Sequence, residues 1–307
     1  MSRRIAVMGL GQMGWPIALN LARKGDGTET VAAVDADPAR IAGLAAHAAP
    51  GLTVTTDTGA VAGADTLFLC LPDGDVVESV LFGPDGLAPR LAPGATVVDL
   101  STIAHGKAVS IGRALGARGL RVLDAPVSGA PAGAEAGTLT VMCGGEPETF
   151  AAMRPLLARI GTQVLHMGPL GSGQLTKTIN NVIYDINIAA LAEVLPMAVA
   201  MGLDPGRLAT VVTTGTSRSY ASQYFVPRIL QGAFDEGYPL GKAYKDLVSA
   251  AAISVERGFP MPVTAAATAT YQTALLHGHG DRDKGAMVLP FEALLGVTVR
   301  APGPSSE

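Results

Sequence analysis

Apolar positions in the first half of the chain fall into short β-rich runs, at residues 5–8, 30–34, 66–71, 95–100, 121–125, 139–143 and 163–166. Helical or Gly/Pro-bearing stretches separate most of them, and that alternation predicts a largely parallel sheet covered by helices. Ligands bind beyond the carboxyl ends of the strands in such sheets. Leu71-Pro72 and Ser101-Thr102, which close two of the runs, are therefore expected to line a crevice. After about His166 the periodicity becomes helical. A Gly-rich segment at 167–173 leads into a helix continuing to Met201, with Gly202 as its C-cap. Ile183, Ile186, Ile188, Leu191, Val194, Leu195 and Met197 make this helix apolar over much of its circumference. It reads as the buried central helix of a helical domain, with a partner subunit as one further surface to pack on. Helices are also expected at 205–213, 222–231, 240–257, 262–277 and 283–295. The organisation is an α/β domain over 1–166, an all-α domain over 167–300 built around the long helix, and a Pro/Ser-rich tail at 301–307 expected to be disordered.

The first run leads into Gly9-Leu10-Gly11-Gln12-Met13-Gly14, and a helical pattern follows through Ile17, Ala18, Leu21 and Ala22. This is G-x-G-x-x-G between strand and helix. Its glycines allow a tight turn, close approach of backbone N–H groups to a pyrophosphate, and close packing of helix on strand. The second run ends at Asp35, where an acceptor for the adenosine ribose hydroxyls falls. These features predict a Rossmann dinucleotide-binding domain. A carboxylate at 35 repels a 2′-phosphate, and Ala36 follows it in place of an arginine, so NAD is favoured. Arg40 is near enough to keep NADP open.

Composition narrows the classes further. With 307 residues, 48% hydrophobic and 16% charged, the chain can build one or two compact domains. A net charge of −4 with no basic cluster argues against nucleic acid or an anionic membrane as partner. Cys70 and Cys143 lie in separate apolar runs without C-x-x-C spacing, which suits buried reduced thiols in a cytoplasmic protein. The first run starts too early for a signal peptide, and no apolar stretch free of charge and glycine is long enough to span a bilayer. None of the five histidines forms a helix pair suited to a metal, and His277 and His279 flank a glycine, so no metal is expected.

The segment Gly173-Gln174-Leu175-Thr176-Lys177-Thr178-Ile179-Asn180-Asn181 sets a lysine and two amides in the opening turns of the long helix. Lys177, Asn180 and Asn181 stand at i, i+3 and i+4 and so share a face. Asparagine is a poor interior helix residue and lysine avoids burial, which favours a polar pocket over packing; a solvated face is the alternative. Oxidising an alcohol requires a hydride acceptor and a group that takes the hydroxyl proton and steadies the developing oxyanion, and a lysine can do both. Ser128-Gly129, just past a strand, offers a hydroxyl and backbone N–H groups to a carboxylate. Standing alone, that segment reads as an ordinary turn, and Lys245-Asp246 reads equally as a solvated ion pair. Tyr184 shares the Lys177 face, where packing ranks ahead of substrate contact. The hydroxyl-rich run 213–220 with Arg218 reads as a loop ahead of a second carboxylate contact.

Taken together these motifs resemble the β-hydroxyacid dehydrogenase family, the group of 3-hydroxyisobutyrate dehydrogenase and tartronate semialdehyde reductase, over nearly the whole chain. The resemblance rests on the glycine motif at 9–14, on Asp124-Ala125-Pro126-Val127-Ser128-Gly129 with Gly137-Thr138-Leu139-Thr140, on the run from Gly173 to Asn181, and on Lys245-Asp246-Leu247. It implies an NAD(P)-dependent oxidoreductase of small β-hydroxy acids or their semialdehydes, with a Rossmann domain, a long helix and a 6-phosphogluconate dehydrogenase-like helical domain, assembled as homodimers or homotetramers. Lys177 would be the general acid/base and Asn181 would orient the substrate oxygen. Ser128, Gly129 and Asn180 would bind the substrate, and its carboxylate would rest on Ser128 and Gly129. Lys245 would lie near substrate and nicotinamide, with Asp246 supporting it. Gly9, Leu10, Gly11, Gln12, Met13, Gly14, Asp35, Leu71, Pro72 and Thr102 would contact the cofactor. One departure stands out: the family commonly continues Ser-Gly-Gly, whereas Gly129 here is followed by Ala130-Pro131, which reshapes the carboxylate pocket. The rival readings are an imine reductase of the same architecture, disfavoured by Lys177, and a non-catalytic NAD(H)-binding protein.

Overall fold

A computed structural model describes residues 3–47 and 49–301; apart from Ala301, the tail expected at 301–307 lies outside the described residues. The chain divides into two compact units, between Lys177 and Thr178.

In the first unit, β1 (Arg4–Met8), β2 (Thr30–Val34), β3 (Leu52–Thr55), β4 (Thr66–Leu69), β5 (Thr96–Asp99), β6 (Arg121–Asp124), β7 (Val127–Ser128), β8 (Leu139–Gly145) and β9 (Gly161–Gly168) form one sheet. The strand order is β3-β2-β1-β4-β5-β6-β8-β7, with β9 also paired to β8. The first six strands are parallel, whereas β8 runs antiparallel to β6 and β7. Helices α1 (Gly14–Arg23), α2 (Pro38–Leu44), α3 (Gly74–Phe82), α4 (His105–Gly116), α5 (Ala130–Ala136) and α6 (Pro147–Leu157) connect them. Helices on both faces explain why β4 and β5 are buried at every position. The period-2 alternation of β1 sends Ile5 and Val7 into a core with Ile17, Leu21 and Phe68, and Ala6 and Met8 into one with Leu67, Leu81 and Leu115. Register aligns Met8 with Val34 and Leu69, and Leu69 with Asp99, so the carboxyl ends of β1, β2, β4 and β5 share one edge. The chain winds outward from β1 to β3, then returns to β4 on the other side of β1. That reversal is a topological switch point, where a crevice opens.

Sequence periodicity misses β3 and the two-residue β7, and it carries β4 two residues too far: the strand ends at Leu69 and leaves Leu71-Pro72 in the following loop. The Gly-rich segment expected at 167–173 is partly regular, because β9 reaches Gly168 and the long helix begins at Ser172.

That helix, α7 (Ser172–Ala200), crosses the unit boundary. The second unit continues with α8 (Pro205–Thr214), α9 (Tyr220–Gln231), α10 (Leu240–Ala243), α11 (Lys245–Arg257), α12 (Pro262–Leu276) and α13 (Val288–Leu295). Gly202, with φ +88°, ends α7 as the Leu203 N–H bonds back to the Ala198 carbonyl. Asp204 caps α8, and Ser219 and Ser222 form a reciprocal capping box on α9. Residues 215–218 are a turn, and Arg218 is exposed on it. The helix expected at 240–257 is two pieces meeting at Tyr244, and the one expected at 283–295 opens with a 3-10 turn over Lys284–Met287, capped by Asp283.

The core of this unit gathers Ile188, Leu195, Phe225, Ile229, Leu247, Tyr271 and Met287. A buried ion pair lies within it. Lys284 donates to Asp185 Oδ1, the Tyr271 hydroxyl donates to the same oxygen at 2.7 Å, and the ammonium stands 4.4 Å from the centre of the Tyr184 ring. Tyr184 also packs on Tyr220 and Phe225. By length and hydropathy α7 would pass for a membrane span, yet half of its most apolar window is buried in the protein. Its burial is one-sided, since Ile183 is 57% exposed and Met197 50%.

Candidate active site

The glycine motif forms the turn from β1 into α1. Gly9 has φ +94°, and a Cβ there would stand 2.4 Å from the Cys70 carbonyl oxygen. A Cβ on Gly14 would stand 1.8 Å from the Gly9 oxygen, so the turn closes on itself with no space for side chains. A Cβ on Gly11 would meet only Arg40 Nη1, at 3.1 Å, the end of a flexible side chain. That side stays open to an incoming pyrophosphate.

Asp35 follows β2 directly. Its Oδ2 accepts from the Leu10 N–H at 2.7 Å and its Oδ1 from the Asp37 N–H at 3.0 Å. It thereby fastens the glycine turn to β2 and, with four lone-pair sites, keeps capacity for ribose hydroxyls. The Arg40 Nε is 4.0 Å from Asp35 Oδ2 and its side chain is 46% exposed, a pairing that contributes little. The Leu71 N–H donates to Ser101 Oγ at 2.9 Å, tying the loop after β4 to the loop after β5. Thr102 is half-buried and Pro72 exposed on the same edge. A cavity of about 550 Å³ runs beside the glycine turn along α1 and α5, lined among others by Gln12, Trp15, Arg23, Arg40 and Glu135.

Three segments meet where α7 begins. Asp124, at the end of β6, accepts from the Gly171 N–H at 2.7 Å and from the Gln174 N–H at 2.8 Å. The Gln174 side chain donates to the Ser101 carbonyl at 2.6 Å and accepts from the Ile103 N–H at 3.1 Å. A Cβ on Gly173 would lie 2.3 Å from the Met142 oxygen and 2.5 Å from the Asp124 oxygen, so only glycine lets the helix start this close to β6 and β8. Lys177, half-buried, follows one turn later. Burial raises the Asp124 pKa against the opposing pull of the Gly171 and Gln174 bonds. Burial likewise pushes Asp99 up to about 7, opposed by its bonds to Ser101 and reinforced by Asp124. Of the two cysteines expected to be buried, Cys143 is and Cys70 is only half-buried; desolvation pushes both thiols up to about 12, with the Asp124 and Asp99 charges adding respectively, which keeps both protonated.

Ser128 ends β7 half-buried, and Gly129 has φ +139°. Ala130, the position where the resemblance leads one to expect a second glycine, has φ +57°, a left-handed conformation that costs a residue with a Cβ roughly 1–2 kcal/mol. The departure noted in the sequence is therefore held in the backbone.

In the second unit, Asn181 Nδ2 donates to Asp246 Oδ2 at 2.8 Å, and Asn180 Nδ2 donates to Asn181 Oδ1 at 3.1 Å. Asp246 is buried in the first turn of α11, and Lys245 beside it is half-buried. The Asn181 amide is thus oriented from both ends, with one N–H left to give. The sequence pattern picked out Lys177, Asn180 and Asn181 but passed over Gln174, whose side-chain partners belong to a distant segment, and Asp99, whose carboxylate bonds locally to Ser101 and is set apart by its burial. An unexplained glutamine between a helix-initial glycine and the lysine was the available signal.

Residues 4–168 match the family described as the NAD binding domain of 6-phosphogluconate dehydrogenase, and residues 171–291 that described as NAD-binding of NADP-dependent 3-hydroxyisobutyrate dehydrogenase. The chain is 34% identical to 2-(hydroxymethyl)glutarate dehydrogenase of Eubacterium barkeri, covering 97% of this chain and 98% of that one. It is 34% identical to the NAD-dependent L-serine dehydrogenase of Pseudomonas aeruginosa, covering 92% and 95%. Among solved structures, a 3-hydroxyisobutyrate dehydrogenase from Salmonella typhimurium superposes with TM-score 0.84 at 28% identity, covering 94% of this chain and 99% of that one. An imine reductase from Myxococcus stipitatus, at 20% identity and TM-score 0.61 over 94% and 99%, shares the fold alone.

Proposed function

The chain belongs to the β-hydroxyacid dehydrogenase family and is an NAD(P)-dependent oxidoreductase of hydroxy acids; from that premise we propose that it oxidises a small β-hydroxy acid, or reduces the matching semialdehyde, with NAD preferred. 2-(Hydroxymethyl)glutarate and L-serine, the substrates named for two relatives, both carry a hydroxymethyl group on the carbon that bears a carboxylate. The observation that carries the reading is the polar face of α7, where Lys177, Asn180 and Asn181 follow at i, i+3 and i+4 and Asp246 holds the Asn181 amide.

In this reading a nicotinamide held in the crevice beside the glycine turn would supply the hydride acceptor for the carbinol carbon. The Lys177 amine takes the hydroxyl proton as the carbonyl forms, and in the reverse direction its ammonium returns it. The free Asn181 N–H hydrogen-bonds the same oxygen and, being unable to titrate, orients it at any pH. The Ser128 hydroxyl and Gly129 N–H bind the carboxylate, and Lys245 adds a countercharge. Gly9, Gly11 and Gly14 bring backbone N–H groups and the α1 N-terminus to the pyrophosphate. Asp35 takes the ribose hydroxyls and disfavours a 2′-phosphate. Arg40 reaches that carboxylate only at 4.0 Å and with its side chain 46% exposed, a weak pairing that offsets little of the charge. A cytoplasmic homo-oligomer completes the proposal.

The test follows NADH formation with 3-hydroxyisobutyrate, 3-hydroxypropionate, glycerate, serine and 2-(hydroxymethyl)glutarate, for the wild type and Lys177→Ala. Turnover on one or more acids is expected, falling about 10³-fold in the variant while NADH still binds. A wild type that binds NADH and oxidises none of them would shift the reading to imine reduction or to a non-catalytic NAD(H)-binding protein.

A further inference from the structure

The geometry points to Gln174 as a positioning residue that sets the helix carrying Lys177 in register with the cofactor crevice, an inference that rests on the dehydrogenase reading above. Gln174 is completely buried, although a glutamine in the first turn of a helix is ordinarily solvated. Its carboxamide bridges two backbone groups of one loop. It donates to the Ser101 carbonyl at 2.6 Å and accepts from the Ile103 N–H at 3.1 Å, on either side of Thr102. The Ser101 hydroxyl in turn accepts from the Leu71 N–H at 2.9 Å, so the loops after β4 and β5 are both joined to the one side chain. The backbone N–H of Gln174 donates to Asp124 Oδ2 at 2.8 Å, and Asp124 stands four residues before Ser128 on the same short segment. Leu71, Thr102, Ser128 and Lys177, assigned to cofactor, carboxylate and proton transfer, thus hang on one set of hydrogen bonds within the first unit.

Only an amide completes this set. Methionine has the length but leaves the Ser101 carbonyl and Ile103 N–H buried without partners. An ionised glutamate presents oxygen to the Ser101 carbonyl. A protonated glutamic acid restores both bonds, its O–H donating to Ser101 and its carbonyl accepting from Ile103. Displacing the proton-transfer group by about 1 Å costs on the order of 10²-fold in rate, so the loss should appear in turnover as well as in cofactor affinity.

The experiment compares Gln174→Met and Gln174→Glu with the wild type across pH, measuring NADH affinity by fluorescence titration and kcat on whichever hydroxy acid the wild type oxidises. Each variant is expressed as a ratio to wild type at the same pH, which removes the titrations of Asp99, Asp124, His105 and Lys177. Gln174→Met should bind NADH about tenfold more weakly and turn over about 10²-fold more slowly, with both ratios flat in pH. Gln174→Glu should show the same losses at high pH and recover toward wild type as the pH falls. A general packing defect does not produce that recovery. Gln174→Glu ratios that stay constant across pH, or wild-type NADH affinity in both variants, overturn the inference. Should Gln174→Met fail to fold, the Gln174→Glu profile decides alone. A wild type without turnover on any acid refutes the dehydrogenase reading, and the NADH titrations still decide the role of Gln174.

Discussion

Asp99 ends β5 with a buried carboxylate that accepts the Ser101 N–H at 2.9 Å, and its main neighbouring charge is another acid, Asp124. Burial raises its pKa from 3.8 to about 7. Between those values the folded state keeps a proton that the unfolded chain has released. By linkage, stability falls as pH rises through that window; below it both states are protonated, and above it both are ionised and the penalty is constant. Asparagine keeps the accepting oxygen and has nothing to ionise. Asp99→Asn should therefore gain on the wild type as pH rises from about 4 to about 7, by up to about 4 kcal/mol at roughly 1.4 kcal/mol per pKa unit. Trp15 is the only tryptophan and lies in the first unit, so its fluorescence during urea unfolding reads the right part of the chain. A gap between variant and wild type that is the same at both ends of the window would refute the assignment. Residues differ in how legible they were at this scale. Lys177, Asn180 and Asn181 are conspicuous because their chemistry conflicts with their local periodicity. Gln174 acquires its role from backbone groups of a distant segment and Asp99 from burial beside Asp124, which no local pattern announces.

Elements were legible where length and period were both ample. β1 and β2 coincide with their apolar runs, and α7 is visible from a period sustained over 29 residues. β3 and β7 owe their existence to pairing: four residues beside β2, and two beside β8, become strands only because a neighbour supplies the other half of the ladder. The start of α7 tests a conflict between local and tertiary preferences. Helix propensity favours alanine over glycine by about 1 kcal/mol, so Gly173→Ala would stabilise an isolated helix. In the protein the added methyl meets two carbonyl oxygens at 2.3 and 2.5 Å, both belonging to backbone that cannot step aside. The expected result is net destabilisation of about 3 kcal/mol or more, read as a lower thermal midpoint. A midpoint equal to or above that of the wild type would mean that α7 does not begin in contact with β6 and β8.

At the scale of the molecule, an apolar residue on α7 has two possible destinations, its own unit's core or another copy of the chain, and periodicity alone does not separate them. Ile188, Leu191 and Leu195 enter the second unit's core. Ile179, Ile183, Val194, Met197 and Met201 are exposed, with Ile186 half-buried and Ala190 exposed between them, and these seven recur every three or four residues as one stripe. A stripe of that length on a monomer would be an unusually large apolar patch. Each isoleucine or methionine side chain removed from water contributes roughly 1.5–3 kcal/mol, so a two-fold pairing of these helices would be strongly favoured. Light scattering after gel filtration should give the mass of a dimer or tetramer for the wild type. Ile183→Glu combined with Met197→Glu should give a monomer with unchanged helical circular dichroism, because neither position belongs to the second unit's core. A monomeric wild type would leave the stripe without a role in assembly. A double variant that kept its oligomeric mass would move the interface to another face, and the one-sided burial of α7 would then need a different occupant.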